Sequence, residues 1–205
     1  MGGHVESAIH RSVRALMERD AELARQVLRD EARINQMEIE IDNLTTRLFA
    51  LRQPMAKDLR FLTAAMKINT DLERMGDLAV NIAQRVLSLV ALPAVKPLID
   101  IPRMAQLVES MLLRVLDAFV KGDAAEATAV LKADDEVDAL RDSVYQELVS
   151  YMQTDPTTVP AAVDLMFVAR NLERIADHAT NIGEDVVFLV KGVDVRHHSL
   201  EAKDA

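Results

Sequence analysis

An internal duplication is the feature that most constrains the fold of this chain. The pattern Leu-Glu-Arg-x-x-Asp-x-Ala-x-Asn-Ile begins at Leu72 and again at Leu172. Between residues 72–90 and 172–190, ten of nineteen positions are identical, where unrelated segments share about one. Packing alone preserves apolar positions and lets exposed charges drift. Because the Glu, Arg, Asp and Asn are repeated as well, we infer two related halves that carry the same kind of site.

Helical periodicity runs through nearly the whole chain. Around each motif the apolar residues recur at steps of three and four, which is one face of an amphipathic helix. Aromatic residues make up only 3% of the sequence and there are 6 glycines, a composition that favours helices over strands. Proline, glycine and Asp-Pro breakers separate six predicted helices. Their predicted bounds are 4–18, 20–52, 55–91, 98–121, 123–153 and 157–191.

The order short, long, long occurs twice among these helices. We therefore predict an all-α chain of two tandem, pseudo-symmetric antiparallel three-helix bundles, at residues 1–94 and 95–205, because short connections make neighbouring helices antiparallel. The segments that begin at Asp20 and Asp123 also resemble each other. The duplication thus includes the long helix that precedes each motif helix.

The charge of the chain limits its partners. A net charge of -9 lacks the basic footprint of a nucleic-acid binder, and cations or basic protein surfaces fit it better. The chain has no cysteine, which fits a reducing compartment. Its first residues lack the pattern of a secretion signal and no apolar run approaches a membrane span. We expect a cytoplasmic protein.

The acidic residues of each motif share one face of their helix. They are spaced by four residues, so they stack beside the apolar stripe. Antiparallel helices of equal rise bring residues equidistant from the turn to one level, and counting from Pro54 and from Asp155 places four oxygen-bearing side chains together in each half. The first set is Glu31, Asn35, Glu73 and Asp77, and the second is Asp134, Asp138, Glu173 and Asp177.

Carboxylates at one level repel one another unless a cation neutralises them. An all-oxygen ligand set favours hard ions, which here means Fe, Mn, Mg or Ca. The first set has Asn35 in place of an acid, so we expect it to bind a cation more weakly. The alternative is a salt-bridge network in which Arg74 and Arg174 neutralise the acids. Asn81 and Asn181 are either outer ligands or residues that hydrogen-bond between helices.

Other polar residues near the motifs are interpreted as peripheral. His178 adjoins Asp177, but the first half has Leu78 at the equivalent position, which favours a local polar role over a ligand role. Three further acids lie closer to the first turn and are interpreted as solvated. They are Glu38, Glu40 and Asp42.

Together these features resemble the PhoU family. The resemblance lies in the paired long helices, the duplicated motif, the acidic motif on the preceding helix, and two short segments. Those segments are Arg52-Gln53-Pro54 before Asp58-Leu59-Arg60, and Gly192-Val193-Asp194-Val195-Arg196-His197. The resemblance covers nearly the whole chain. It implies two three-helix bundles, a homodimer and metal clusters on E/D-x-x-x-D motifs.

The resemblance also implies a role, which is non-enzymatic negative regulation of phosphate uptake and phosphate-starvation signalling. The implied partners are the ATPase subunit of a phosphate ABC transporter and a phosphate-sensing histidine kinase. The protein would be peripheral at the membrane only through these partners. The alternative function is a di-metal helical-bundle oxidase or metal-storage protein. Such bundles use Glu-x-x-His ligand pairs, which neither acidic set contains. No phosphate-binding loop or nucleophile elbow is present in the sequence, and a purely structural scaffold would leave the repeated acids unexplained.

Overall fold

The computed structural model of the protein describes residues 1–95 and 98–195. This part of the chain contains six α-helices, a 3-10 turn at Pro156–Thr158 and no strand. The helices are α1 (Gly2–Glu18), α2 (Ala21–Arg52), α3 (Lys57–Val90), α4 (Asp100–Lys121), α5 (Ala124–Thr154) and α6 (Val159–Lys191). The predicted all-α fold is confirmed, and each helix begins and ends within two residues of its predicted bounds. Residues 96–97, near the predicted boundary between the two bundles, and the terminal segment from residue 196 onward lie outside the described residues.

The two motif helices form the centre of the molecule. α3 packs against α6, α1 and α2 pack on α3, and α4 and α5 pack on α6. Buried apolar residues from all six helices form one cluster. The two bundles therefore share a continuous core, and burial of the apolar stripes of α3 and α6 is its main component. Within residues 1–95 and 98–195, no helix is both long and apolar enough to cross a membrane.

Polar side chains fix the register between α3 and α6. Lys67 Nζ lies 2.7 Å from Asp185 Oδ1, and Arg85 Nη1 lies 3.3 Å from Asp164 Oδ1. The Arg85 guanidinium also stacks 4.7 Å above the ring of Phe167. Asp185 is only 7% exposed, and a shift of register would leave its charge without Lys67 at a high cost in free energy. These pairs therefore favour one antiparallel alignment.

The turns that precede the long helices α2 and α5 are built in the same way. The carboxylates of Asp20 and Asp123 each accept hydrogen bonds from two backbone N–H groups, at 2.8 to 3.0 Å, which is helix N-capping. The residue before each aspartate is left-handed: Arg19 has φ 53° and Gly122 has φ 66°. The duplication thus includes the turn geometry.

Arg19 offsets its left-handed backbone by capping α3. Its Nη2 donates to the carbonyl oxygens of Leu89, Val90 and Leu92, at 2.8, 3.2 and 2.5 Å. Carbonyls at a helix C-terminus lack helical partners and attract positive charge. Gln53 is also left-handed, with φ 45°, but its side chain makes no hydrogen bond within the described residues.

We expect Arg19→Gly and Gln53→Gly to change the free energy of unfolding in opposite directions. Glycine relieves about 1 kcal/mol of left-handed strain at either position. At Arg19 it also removes charged hydrogen bonds that contribute about 1.5–3 kcal/mol, so this variant is less stable, whereas Gln53→Gly is more stable. Chemical denaturation of both variants measures the difference. Equal stabilisation of the two would show that the Arg19 side chain does not cap α3.

Candidate functional site

Contacts within each hairpin give the level at which the acids meet. In the second half, Tyr145 Oη donates to the carbonyl oxygen of Met166 at 3.3 Å. In the first half, Asn69 Nδ2 donates to the carbonyl oxygen of Glu38 at 3.0 Å. Both contacts join residues that are nearly equidistant from the turn, as the residue count assumed. These two contacts give the register of the facing helices in each hairpin.

The four predicted acids of the second half form one electrostatic cluster between α5 and α6. Burial, together with the charges of Asp177, Asp138 and other nearby acids, raises the pKa of Asp134 to about 6. Burial and the charge of Asp177 raise the pKa of Glu173. Burial and the charge of Asp138 raise the pKa of Asp177. Asp134, Glu173 and Asp177 are therefore harder to ionise, first because they are partly buried and second because like charges lie close by.

One oxygen of this cluster is without a partner. Asp134 Oδ1 is buried and accepts no hydrogen bond within the described part of the chain. Buried carboxylate oxygens are normally satisfied by a donor or a cation. The cluster therefore combines oxygen donors of the type that hard cations prefer with one oxygen that has no partner.

Arg141 neutralises part of the second cluster, although the sequence did not single it out. Its Nη1 lies 2.9 Å from Asp138 Oδ1 and 2.7 Å from Glu173 Oε1, and its Nη2 lies 2.9 Å from Asp142 Oδ1. In residues 1–95 and 98–195, no three His, Cys, Asp or Glu side chains are arranged to hold a metal ion. Arg141 follows Asp138 by three residues on the same helix, and this spacing is the feature of the sequence that could have predicted their contact.

The arginines that were predicted to neutralise the acids make weaker contacts. Arg74 lies 3.5 Å from Glu73 and 3.6 Å from Asp77, which is beyond the usual hydrogen-bond distance. Arg174 is exposed and acts at longer range, lowering the pKa of Asp177. The salt-bridge alternative therefore holds for Arg74 in the first half, whereas in the second half Arg141 and not Arg174 forms the ion pairs with the acids.

The first half gathers a different set of acids from the predicted one. Burial and the charge of Asp77 raise the pKa of Glu73, and Glu38 raises it further. The interpretation of Glu38 as a solvated, peripheral residue is therefore wrong. Glu31 and Asn35 lie half-buried on α2, and neither makes a hydrogen bond or ion pair with Glu73 or Asp77 among the described residues.

Glu38 and Arg141 occupy equivalent positions in the two halves. The spacing that relates Asp20 to Asp123 also relates Glu38 to Arg141, and Asn35 to Asp138. The first half thus has a carboxylate where the second half has a guanidinium. Glu38 thus adds near Glu73 a negative charge that the predicted set, with Asn35 in place of an acid, did not include.

His178 and Asn181 connect the two bundles. His178 Nδ1 lies 2.8 Å from Asp71 Oδ1, and Asn181 Nδ2 donates to the same oxygen at 3.4 Å. Of the two roles left open for Asn181, hydrogen bonding between helices is the one observed. Asn81 is exposed and makes no side-chain hydrogen bond within the described residues. The polar role of His178 is structural and reaches across α3 and α6, beyond the local role expected.

The fold and its paired acidic clusters define a class of protein, a duplicated helical bundle with one acidic cluster in each half. The PhoU domain profile matches the chain twice, at residues 1–86 and 101–186. These matches cover both halves. The chain belongs to the PhoU family.

Known proteins match the chain over almost its whole length. A relative from Caulobacter vibrioides named phosphate-specific transport system accessory protein PhoU homolog is 43% identical over 196 residues, which cover 95% of this chain and 85% of the relative. The crystal structure of PhoU from Pseudomonas aeruginosa matches with a TM-score of 0.89 at 39% identity, covering 94% of this chain and 93% of that one. PhoU from Streptococcus pneumoniae, described as a phosphate transport system regulatory protein, matches with a TM-score of 0.88 at 31% identity, covering 95% and 91%.

The raised pKa of Asp134 predicts a specific dependence of stability on pH. Because its pKa is higher in the folded than in the unfolded state, the folded protein binds the proton more tightly. This contribution to stability is present at low pH and is lost as the pH rises through about 6. Asp134→Asn removes the charge, so its stability relative to the wild type should increase as the pH rises from about 4 to about 7.

Chemical denaturation in the presence of a chelator measures this difference. The neighbouring residue Asp135 is exposed, and Asp135→Asn is the matched control, for which we expect a much smaller change with pH. If the free energy of unfolding depends on pH in the same way for Asp134→Asn and the wild type, the cluster does not disfavour the charged form of Asp134.

Proposed function

We propose that this protein is a non-enzymatic regulator that restrains phosphate uptake and phosphate-starvation signalling. Membership of the PhoU family over both halves carries the proposal, and the relative from Caulobacter vibrioides is named an accessory protein of a phosphate-specific transport system. The proposed partners are the ATPase subunit of the phosphate transporter and a sensor histidine kinase, bound in the cytoplasm by a homodimer. With a net charge of -9, the protein suits basic faces on these partners.

Deletion of the gene should raise phosphate-starvation gene expression when phosphate is plentiful, and restoring the gene should reverse the change. Binding to the ATPase subunit or the kinase should weaken as salt rises, because salt screens attraction between exposed charges. Reporter expression, phosphate uptake and binding at two salt concentrations measure these effects. Normal expression and uptake in the deletion strain, with no binding to either partner at low salt, would contradict the proposal and favour the di-metal oxidase or storage alternative.

We also propose that the acidic clusters hold a hard cation, such as Fe, Mn, Mg or Ca. The proposal is supported by the buried, unpartnered oxygen of Asp134 and by the mutual repulsion of the second set of acids. A bound cation supplies positive charge that neutralises the carboxylates and links the facing helices. In the second half, the cation would replace Arg141 as the partner of Asp138 and Glu173.

Arg141→Gln distinguishes a cation site from a salt-bridge network. If Asp138 and Glu173 bind a cation, removing the competing guanidinium should tighten binding by about tenfold, which is about 1.4 kcal/mol. Chelator should then lower the melting temperature of this variant more than that of the wild type, because a ligand bound only by the folded state stabilises it. Calorimetric titration with each metal measures the affinity, and Arg174→Gln is the control.

Replacing Asp138 and Asp177 together by Ala should abolish binding in the second half. Unchanged metal stoichiometry in this double variant would contradict the assignment of the ligands. If instead Arg141→Gln takes up no metal and is simply less stable than the wild type, the acids form only an ion-pair network.

A further inference from the structure

The tip of the α2–α3 hairpin, residues 44–61, exposes several apolar side chains. Leu51 is 78% exposed and Met55 is 79% exposed. Leu44, Leu59 and Phe61 are 52%, 44% and 46% exposed. Single exposed apolar residues are ordinary on a protein surface, whereas a group of them within one structural element marks an interaction site.

Apart from the start of α3, where Phe61 stacks on Phe119 of α4, the tip is uncovered because the third helix of its bundle is short. α1 has 17 residues, while α2 has 32 and α3 has 34. After Ile34, the only buried residue of α2 is Thr45. The equivalent helix of the second half, α5, continues to bury apolar residues as far as Leu148. The second hairpin turn also exposes apolar residues, but less strongly: Val149 and Val159 are 41% and 39% exposed, about half the exposure of Leu51 and Met55.

The same tip is positively charged in an acidic protein. It carries four cationic residues and one acid, Asp58, so its net charge is +3 while that of the chain is -9. The cations are Arg47, Arg52, Lys57 and Arg60. None of the four makes an ion pair within the described residues, and the Nε of Arg60 is buried without a hydrogen-bond partner.

Apolar and cationic side chains share one face of α2 at the tip. Leu44, Arg47 and Leu51 are three and four residues apart, so they are neighbours on the helix surface. A long cationic side chain can lay its hydrocarbon stem along an apolar surface while its charge stays in water. The face therefore suits a boundary between an apolar phase and negative charge.

We propose that this hairpin tip docks the protein directly on an anionic lipid bilayer. Leu51 and Met55 enter the boundary between headgroups and acyl chains, and the four cations contact the lipid phosphates. Apolar burial and attraction to anionic lipid are the two contributions that hold a peripheral protein on a membrane. This contact needs no protein partner, whereas the family resemblance implied attachment to the membrane only through partners. It does not depend on the regulatory role proposed above.

A bilayer fits the tip better than a second copy of the chain does. Contact between two tips would oppose four cations with four cations, which is unfavourable. The cations are close in sequence to the exposed Leu51 and Met55. A bilayer surface offers phosphates to the cations and acyl chains to the apolar residues, and it needs no shaped groove. An acidic protein surface is the competing occupant, and vesicles of pure lipid distinguish it.

Vesicle flotation with the full chain tests the proposal. The wild type should bind vesicles made of an equal mixture of phosphatidylglycerol and phosphatidylethanolamine. It should not bind vesicles made of phosphatidylcholine. Arg52→Gln with Lys57→Gln should weaken binding by about twentyfold, because each cation near an anionic surface contributes about fivefold. Leu51→Ser with Met55→Ser should weaken it by about tenfold or more. These side chains are exposed, so the variants should keep the melting temperature of the wild type.

Two matched controls remove similar groups elsewhere. Val149→Ser with Val159→Ser changes apolar residues near the second hairpin turn that are 41% and 39% exposed. Arg14→Gln with Arg103→Gln removes two charges whose side chains are 56% and 61% exposed. Both controls should bind the anionic vesicles as the wild type does.

A tryptophan probe locates the contact, because the chain has no tryptophan of its own. The emission of Leu51→Trp should shift to shorter wavelength when anionic vesicles are added, while that of Val149→Trp should not. The proposal is overturned if the wild type does not bind anionic vesicles at low salt, or if the tip variants bind like the controls. It is also overturned if the tip variants lose only self-association or binding to a protein, since the tip is then a protein interface.

Discussion

The antiparallel packing of α3 against α6 is the interaction on which the rest of the structure depends. Both helices are buried along an apolar stripe, and both contribute to the one continuous core. Apolar stripes alone tolerate sliding, whereas the pair of Lys67 with Asp185 and the pair of Arg85 with Asp164 do not. Because a buried charge without its partner is costly, these pairs select the register that places the other four helices.

The acidic clusters follow from the same packing. The helix face that carries Glu73 or Glu173 lies beside the buried stripe, so that these two glutamates are half-buried. Half-burial raises the pKa of these groups, and solvent alone does not offset their repulsion. Buried apolar residues and acidic residues thus lie on adjoining faces of the same helix. Both kinds of residue depend on the same packing, which explains why the repeat preserved both.

The sequence was sufficient to predict the six helices, because breakers mark their ends, and the proximity of the second-half acids, because a constant rise per residue sets their height. It was insufficient for Arg141 and for the link between His178 and Asp71. The first depends on which rotamer a long side chain adopts, and the second on the alignment of α3 with α6. Neither is encoded in the period of a single helix.

The two halves have diverged most where their chemistry matters. At one equivalent pair of positions, Glu38 in the first half increases the negative charge around Glu73, while Arg141 in the second half binds Glu173. A guanidinium fixed among carboxylates provides at all times the charge that a cation would provide only when bound. In the first cluster the cation is Arg74, which is exposed and lies farther from its acids, 3.5 Å from Glu73 and 3.6 Å from Asp77. A common scaffold thus carries two acidic clusters that differ at two equivalent positions, where Asn35 and Glu38 correspond to Asp138 and Arg141.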